Sequence, residues 1–482
     1  MKLLRWVRSQ MDKYCFLAEA GLPLKAKKRI AAARFRKGKC TFKPTSEEEN
    51  YFNFLKHTEF FTASELQMLQ LEKFKKLIAY AYDKVPYYHE TMNQLGLKPS
   101  DFNAYEDIVK LPVITKEEIR KEPHRFISQD YTGRSDPRLT RITTGGSTGT
   151  PMAYYFDSKM VAVRKAHWWR WSDFAGVDLY NDKMIYIGTD TESPYRNPRN
   201  FKGVFDPTRT KLTLSINSLG NRVYDRYIAS MEEFKGDYFR GFSSAIYMIA
   251  RRLIERDMRM PLKAVLTSSD TLYNHYRTVI EEAFQCEVFD HYGMNEDVIT
   301  ATECVAHDGF HINVESTIAE TVNTKGEPVS GREGLLVGTH LENYTMPLIR
   351  YMTGDVGNLD STWEPCKCGR YHQRLKELIG RYRDTIITPD GRRVASLVLN
   401  RPLVPVAGAM VKCQFVQESL DFLTLKIVPT REWNMKHHKE LITSLKKIVG
   451  HAIEIQIVLV DDIPTQDNGK YRLIVSKIAG QL

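Results

Sequence analysis

Thr143-Thr144-Gly145-Gly146-Ser147-Thr148-Gly149-Thr150-Pro151 places three glycines and five hydroxyl side chains within nine residues. Glycine lets the backbone turn successive N–H groups toward one point, and Ser and Thr hydroxyls add donors of their own. Such a loop can wrap a phosphate chain. It lacks the Gly-Lys-Ser/Thr ending of a Walker loop. The alternative is a polar turn between two strands, and the flanking chain has to choose.

Working outward, residues 153–156 (Ala-Tyr-Tyr-Phe) have the composition of a strand, and an aromatic-rich helix carrying His167, Trp168, Trp169 and Trp171 follows. A short buried strand is expected at 184–188. The segment Phe239-Arg240-Gly241-Phe242-Ser243-Ser244 leads into a helical run at 245–254. Residues 264–269 again read as strand then polar loop, with a helix near 276–284. This alternation predicts an α/β body with mainly parallel sheet, in which ligands sit at the loops after the strands. From about Arg381 the texture changes. Strands at 415–417, 423–428 and 453–460, with a helix at 436–449, predict a compact α+β unit. The expected organisation is a basic arm (1–45), a large domain (46–379) and a small mobile domain (380–482).

Upstream of the loop, Ser46 is expected to cap a helix with Glu49 at the third position. Helical periodicity follows through Leu66, Leu69, Phe74 and Ile78. Val85-Pro86-Tyr87-Tyr88 and Leu111-Pro112-Val113-Ile114-Thr115-Lys116 are proline-punctuated segments that each lead toward a helix.

The 482 residues, 42% hydrophobic and 27% charged, suit a soluble globular protein of two or more domains. No apolar run approaches the roughly 20 residues that cross a bilayer. Seven scattered cysteines do not form a disulfide framework, so a cytoplasmic location is expected. Residues 1–45 carry thirteen Lys/Arg against two acids, so the net charge of +10 resides in the arm and the rest is near neutral. Leu3, Leu4, Trp6, Val7, Phe16 and Leu17 interleave with that charge. The arm can lie on the inner face of an anionic membrane, dock to a partner, or pack on its own body. No nucleic-acid recognition motif accompanies it.

Five further segments stand with the glycine loop: 267–270, Asp290-His291-Tyr292-Gly293-Met294-Asn295-Glu296, Tyr351-Met352-Thr353-Gly354-Asp355, Gly380-Arg381-Tyr382-Arg383-Asp384, and the stretch from Pro464 to Gly469-Lys470. Their order and spacing resemble the adenylate-forming superfamily of acyl-CoA synthetases, peptide-synthetase adenylation domains and luciferases. The 85–88 and 111–116 segments look like its phenylacetate–CoA ligase branch, which has capsule-biosynthesis relatives. The resemblance implies attack of a carboxylate on the α-phosphate of ATP, with pyrophosphate release and transfer of the acyl group to a thiol, coenzyme A. Two anions must meet, so catalysis is mostly positioning and charge neutralisation.

On that resemblance, residues 144–149 hold the β- and γ-phosphates, and Glu296 holds Mg²⁺. Tyr292 offers a face to adenine, with His291, Ser269 and Asp270 bordering the base. Asp355 takes the ribose hydroxyls with Arg381 beside them, and Lys470 brings a cation to the α-phosphate. Phe242, Ser243 and Tyr247, with the helix of Trp168 and Trp169, are expected to line a pocket for an apolar or aryl acid. Asn295, Arg383 and Asp270 depart from the family's usual Thr/Ser, acid and Glu. Alternatives are a relative that adenylylates or acylates without CoA, and a membrane-recruited nucleotide-binding scaffold.

Cys304, His311, Cys366 and Cys368 form a second group, with Cys366-Lys367-Cys368-Gly369 as a tight thiolate pair. Cys₃His is a common structural zinc set, and some phenylacetate-ligase relatives match these positions. The other reading is unconnected reduced cysteines, and His307 is the alternative histidine.

Overall fold

Thr45, not Ser46, begins the first helix, α1 (Ser46–Thr58). Its Oγ1 accepts from Glu48 N at 3.2 Å, while Glu48 Oε2 accepts from Thr45 N at 2.9 Å. Thr45 has the extended backbone a cap requires, so the capping box sits one residue earlier than expected. The same device, Thr62 with Glu65, opens α2 (Ala63–Lys84). Pro86 occupies the first turn of α3 (Pro86–Gln94), where its missing N–H costs nothing. Thr115 and Glu118 cap α4 (Lys116–Lys121). The computed structural model describes residues 45–143, 152–188, 203–206, 209–216, 221–382, 385–395, 398–399, 401–464 and 472–478. The basic arm up to residue 44, the loop 144–149, Arg383 and Lys470 therefore lie outside the described residues.

Strands β1 (Thr140–Thr143) and β2 (Ala153–Phe156) pair antiparallel, with Thr143 opposite Ala153. The glycine loop thus joins a hairpin. Asp157 caps α5 (Ser158–Phe174), the aromatic-rich helix. Beyond it come β3 (Met184–Gly188), β4 (Val204–Phe205), β5 (Lys211–Ser215), α6 (Asn221–Phe234), β6 (Tyr238–Phe242), α7 (Ser243–Glu255), β7 (Ala264–Ser268), α8 (Asn274–Phe284) and β8 (Val288–Gly293). Strands β5, β3, β6, β7 and β8 lie side by side and parallel, as the alternating pattern predicts. The sheet then continues antiparallel through β9 (Thr300–Glu303), β10 (Phe310–Ile312), β11 (Thr317–Val322), β12 (Gly334–His340), β13 (Tyr351–Leu359) and β14 (Arg374–Arg381). Twelve strands run in the order β11-β12-β13-β14-β10-β9-β8-β7-β6-β3-β5-β4. The parallel character is thus confined to one half of the sheet.

A hairpin of β15 (Thr385–Ile387) and β16 (Arg393–Ala395) follows. The last unit is a four-stranded sheet, order β19-β18-β17-β20, built from β17 (Met410–Gln417), β18 (Phe422–Pro429), β19 (Glu454–Leu459) and β20 (Ile474–Ser476). Its helix α9 (Met435–Val449) buries Leu441, Leu445 and Val449, each four residues from the next on one stripe. These elements match the α+β unit expected there. Among the described residues no helix is long and apolar enough to cross a membrane.

A charged pair lies under α1 and α5. Arg170 donates to Glu315 through Nη2–Oε1 at 2.6 Å and Nη1–Oε2 at 2.9 Å, and also to Leu55 O and Asn313 Oδ1. Thr58 Oγ1 donates to the same carboxylate at 2.7 Å. Both charged side chains are essentially sealed from water. Burial would raise the Glu315 pKa, but Arg170, His372 and the Thr58 hydroxyl together outweigh it and hold the carboxyl well below its usual range. Arg170→Met strands a buried carboxylate and should destabilise the protein by about 3–5 kcal/mol. Arg170→Met/Glu315→Leu should recover much of that loss in urea denaturation. A double variant no more stable than the single one contradicts this account of the pair.

Candidate functional site

Three strands converge on Asp355. The chain turns at Gly354, whose φ of +78° suits glycine, and re-enters β13 opposite Arg381 of β14. Arg381 Nε lies 3.0 Å from Asp355 Oδ1. Tyr292, at the end of β8, donates its hydroxyl to Asp355 Oδ2 at 2.8 Å. Burial and the Asp355 charge raise the Tyr292 pKa, so it stays a neutral donor. Each carboxylate oxygen keeps a further acceptor site. The arrangement therefore presents an oriented anion that can still accept two hydroxyl donors. Sequence proximity brings none of these three residues together; the sheet does.

Glu296 lies in the loop between β8 and β9 and is buried. Tyr351 Oη donates to its Oε1 at 3.2 Å. Lys116, at the start of α4, is pushed down in pKa by burial while the Glu296 charge opposes that shift. Asn295 Nδ2 donates to Thr143 O at 3.1 Å, tying the Glu296 loop to the strand that enters the glycine loop. The residue that departs from the family pattern thus has a tethering contact of its own.

Asp270 does something the sequence reading missed. It accepts from Ser243 N at 2.7 Å, from Ser244 N at 3.3 Å and from the Ser244 hydroxyl. It therefore caps α7 from outside, at a helix whose own N-cap residue is Phe242 and has no capping side chain. Ser269 beside it sits at φ +76°. His291 is buried, lies against Trp171 with ring centres 4.9 Å apart and the planes tilted by 34°, and is held neutral by burial, which takes its pKa to about 3. Its Nε2 has no hydrogen-bond partner among the described residues.

The expected acyl-pocket residues divide. Ser243 is fully buried and committed to Asp270. Tyr247 stacks on Tyr276 at 4.0 Å and lines a cavity with Leu403, Met410 and Cys413, next to the C-terminal sheet. Phe242 belongs to that same apolar cluster. Trp169 meets Phe52 of α1 edge-on, and Trp168 lies on the other side, near β6. Among the described residues, Tyr247 packs toward the C-terminal sheet, while the tryptophan helix packs toward α1 and β6.

The cysteine group does assemble. The ligand atoms of Cys304, His311, Cys366 and Cys368 all lie within 4.8 Å of one another. Cys304 Sγ is 3.8 Å from Cys366 Sγ, and His311 Nε2 is 3.3 Å from Cys304 Sγ and 3.5 Å from Cys368 Sγ. Those edges are close to the roughly 3.8 Å between sulfurs of a tetrahedron with Zn–S of about 2.3 Å. Hydrogen bonds from Cys304 and His311 hold the Cys368 thiol far below its usual pKa, as a metal ligand needs. His307 turns instead to Glu303 at 3.4 Å and is not part of the set.

Residues 386–477 match the family profile described as the CapK C-terminal domain. Protein CapK of Staphylococcus aureus is 24% identical over 418 residues, covering 86% of this chain and 90% of that protein. Phenylacetate-coenzyme A ligase of Thermus thermophilus is 23% identical over 447 residues, covering 85% of this chain and 96% of that protein. The fold is that of 2-hydroxyisobutyryl-CoA ligase, solved in a postadenylation state with R3-HIB-AMP. The TM-score is 0.70 at 19% identity, over 87% of this chain and 91% of that one.

Asp270→Ala should cost about 1–2 kcal/mol by uncapping α7, and Asp270→Asn less. The check is thermal unfolding of both variants. Equal stability of Asp270→Ala and the parent would remove the capping role.

Proposed function

We propose that this chain, which belongs to the adenylate-forming superfamily in the phenylacetate–CoA ligase-like branch with CapK relatives, activates a carboxylic acid with ATP and passes the acyl group to coenzyme A. The observation that carries the reading is the Tyr292–Asp355–Arg381 constellation beside the Glu296 loop. Asp355 would accept both ribose hydroxyls while Tyr292 and Arg381 hold its carboxylate in place. The substrate carboxylate oxygen forms a bond to the α-phosphorus, and the bond to the pyrophosphate oxygen breaks. Nothing need be protonated for this; what must be offset is charge. Glu296 would hold Mg²⁺, which would supply positive charge to offset that of the triphosphate, the amides of 144–149 would take the β- and γ-phosphates, and Lys470 would meet the charge developing at the α-phosphate. In the second step a thiol sulfur attacks the acyl carbon and AMP leaves. The part of the chain matching the CapK C-terminal domain also carries Lys470's unit. That makes the acceptor the open element: an amine, hydroxyl or carrier thiol is the second reading.

Pyrophosphate release with a panel of acids, with and without CoA, separates the two readings. Lys470→Ala should slow acyl-adenylate formation by about 10²–10³-fold, while CoA transfer from supplied acyl-AMP survives. Equal loss in both steps would take Lys470 out of this role.

The Cys304–His311–Cys366–Cys368 set would hold one structural zinc. It would join the β9–β10 hairpin to the connection between β13 and β14, and so the Glu296 side of the site to the Asp355 side. Four protein ligands leave no open position for chemistry. Elemental analysis should find about one zinc per chain, and chelation should lower the melting temperature before it lowers the rate. Cys368→Ser should do the same. Metal-free protein from a chelator-free preparation contradicts the assignment.

A further inference from the structure

Arg240 is a charge inside a sheet. It sits on β6 in register with Tyr186 of β3 and Leu266 of β7, on the face that α5 covers. Its guanidinium carbon is 4.9 Å from the ring centre of Trp168 and 4.9 Å from that of Trp171. Arg164, one turn before Trp168 on α5, lies 5.3 Å over the same Trp168 ring. Two cations thus share two indoles. Arg240 is partly exposed, with no hydrogen bond or ion pair among the described residues, and Arg164 Nε is buried without a hydrogen-bond partner among them. The nearest carboxylate to Arg164, Asp297, stands at 3.7 Å, beyond hydrogen-bond reach, and His340 is equally close to it.

The balance of effects is uneven. Stacking on an indole stabilises a guanidinium by about 0.5–2 kcal/mol. Removing an unpaired ion from water costs several kcal/mol even after relaxation. Burial accordingly lowers the Arg240 pKa. Asp297 supplies one negative charge against two arginines, and the adjacent His291 is neutral. The cluster is short of an anion. It also adjoins the site described above: the ring of His291 lies against Trp171, and Asp297 follows Glu296 directly. The unpartnered Nε2 of His291 adds a further polar atom to the same corner.

We propose that Arg240, with Arg164 beside it, receives a second anionic group on the carboxylic acid that this enzyme activates. The substrate class is then an acid bearing a further carboxylate, phosphonate or phosphate, rather than a purely apolar or aryl acid. Guanidinium groups of Arg164 and Arg240 lie over Trp168, and Trp171 meets Arg240 and His291, so these indoles are engaged by cations and a ring of the protein itself. The planar fork of an arginine matches the two oxygens of such a group. This inference rests on the acid-activating reading and specifies its substrate.

The test is pyrophosphate release by the full chain with acids in matched sets: butyrate, succinate and 3-phosphonopropionate, then hexanoate and adipate, then benzoate and terephthalate. Acids with a second anion should have kcat/KM at least tenfold above their monoacid partners. The better of succinate and 3-phosphonopropionate identifies the anion. Arg240→Leu should reduce the diacid-to-monoacid ratio at least tenfold, and Arg240→Lys, which keeps the charge but not the fork, should reduce it less. If Arg240→Leu does not fold, Arg164→Leu reads the same ratio. Monoacids preferred by the parent, with a ratio that the variants leave within twofold, overturn the proposal while leaving adenylation intact. If no acid releases pyrophosphate, the acid-activating reading fails. Melting curves then decide this proposal alone: succinate or 3-phosphonopropionate raising the melting temperature of the parent but not of Arg240→Leu supports it, and no rise in the parent overturns it.

Discussion

The Arg170–Glu315 pair fixes where the layers of this protein meet. A carboxylate sealed from water must have its lone pairs filled, and Glu315 fills them from Arg170 on α5 and Thr58 on α1. Lys73 and Gln70 of α2 add contacts to the backbone of Glu315 and Thr317. One turn earlier on α5, His167 bonds Ser316 at 2.9 Å. Three helices are thereby locked to the segment between β10 and β11. The position of α5 sets the position of Arg164, Trp168 and Trp171, so this pair also places the arginine–indole cluster.

The Asp355 site comes from the change in sheet direction. Parallel strands bring His291 and Tyr292 to the end of β8, where the following chain turns back as β9. Antiparallel pairing then returns β13 and β14 so that Asp355 and Arg381 face Tyr292. A wholly parallel sheet would send its loops to one edge and leave no strand to carry Asp355 across. The Cys/His group lies at the far ends of the same strands, in a position to hold that antiparallel half in register.

What could be read in the sequence follows from where each signal is local. Met184–Gly188 and Ala264–Ser268 are apolar and alternate with helices, and the C-terminal strands and α9 show clean periodicity, so these elements were legible; Val288–Gly293, with Asp290 and His291 inside it, did not read as a strand. The strands from Thr300 to His340 were not, because Thr-Ala-Thr-Glu and Thr-Ile-Ala-Glu-Thr-Val are buried along their whole length, polar side chains included. Burial of polar groups on both faces leaves no hydrophobic pattern to see. Among site residues, Tyr292, Asp355, Arg381, Glu296 and the four zinc candidates come together, and the ligand choice of His311 over His307 is explained by Glu303 holding His307. Asp270 and Asn295 gain roles as helix cap and tether that motif reading does not supply. Arg240 had a visible signal, a lone charge in the strand Tyr-Phe-Arg-Gly-Phe, that only its stacking between two tryptophans turns into chemistry.

The central claim is that Asp355, held by Tyr292 and Arg381, anchors a nucleotide through its ribose. Calorimetric titration of AMP into the parent protein and into Asp355→Ala tests it most directly. A charge-assisted carboxylate contact to two hydroxyls is worth about 1.5–3 kcal/mol per bond, so affinity should fall by about two orders of magnitude or more in the variant, with the fold retained by circular dichroism. AMP binding of equal strength to both proteins would contradict the account.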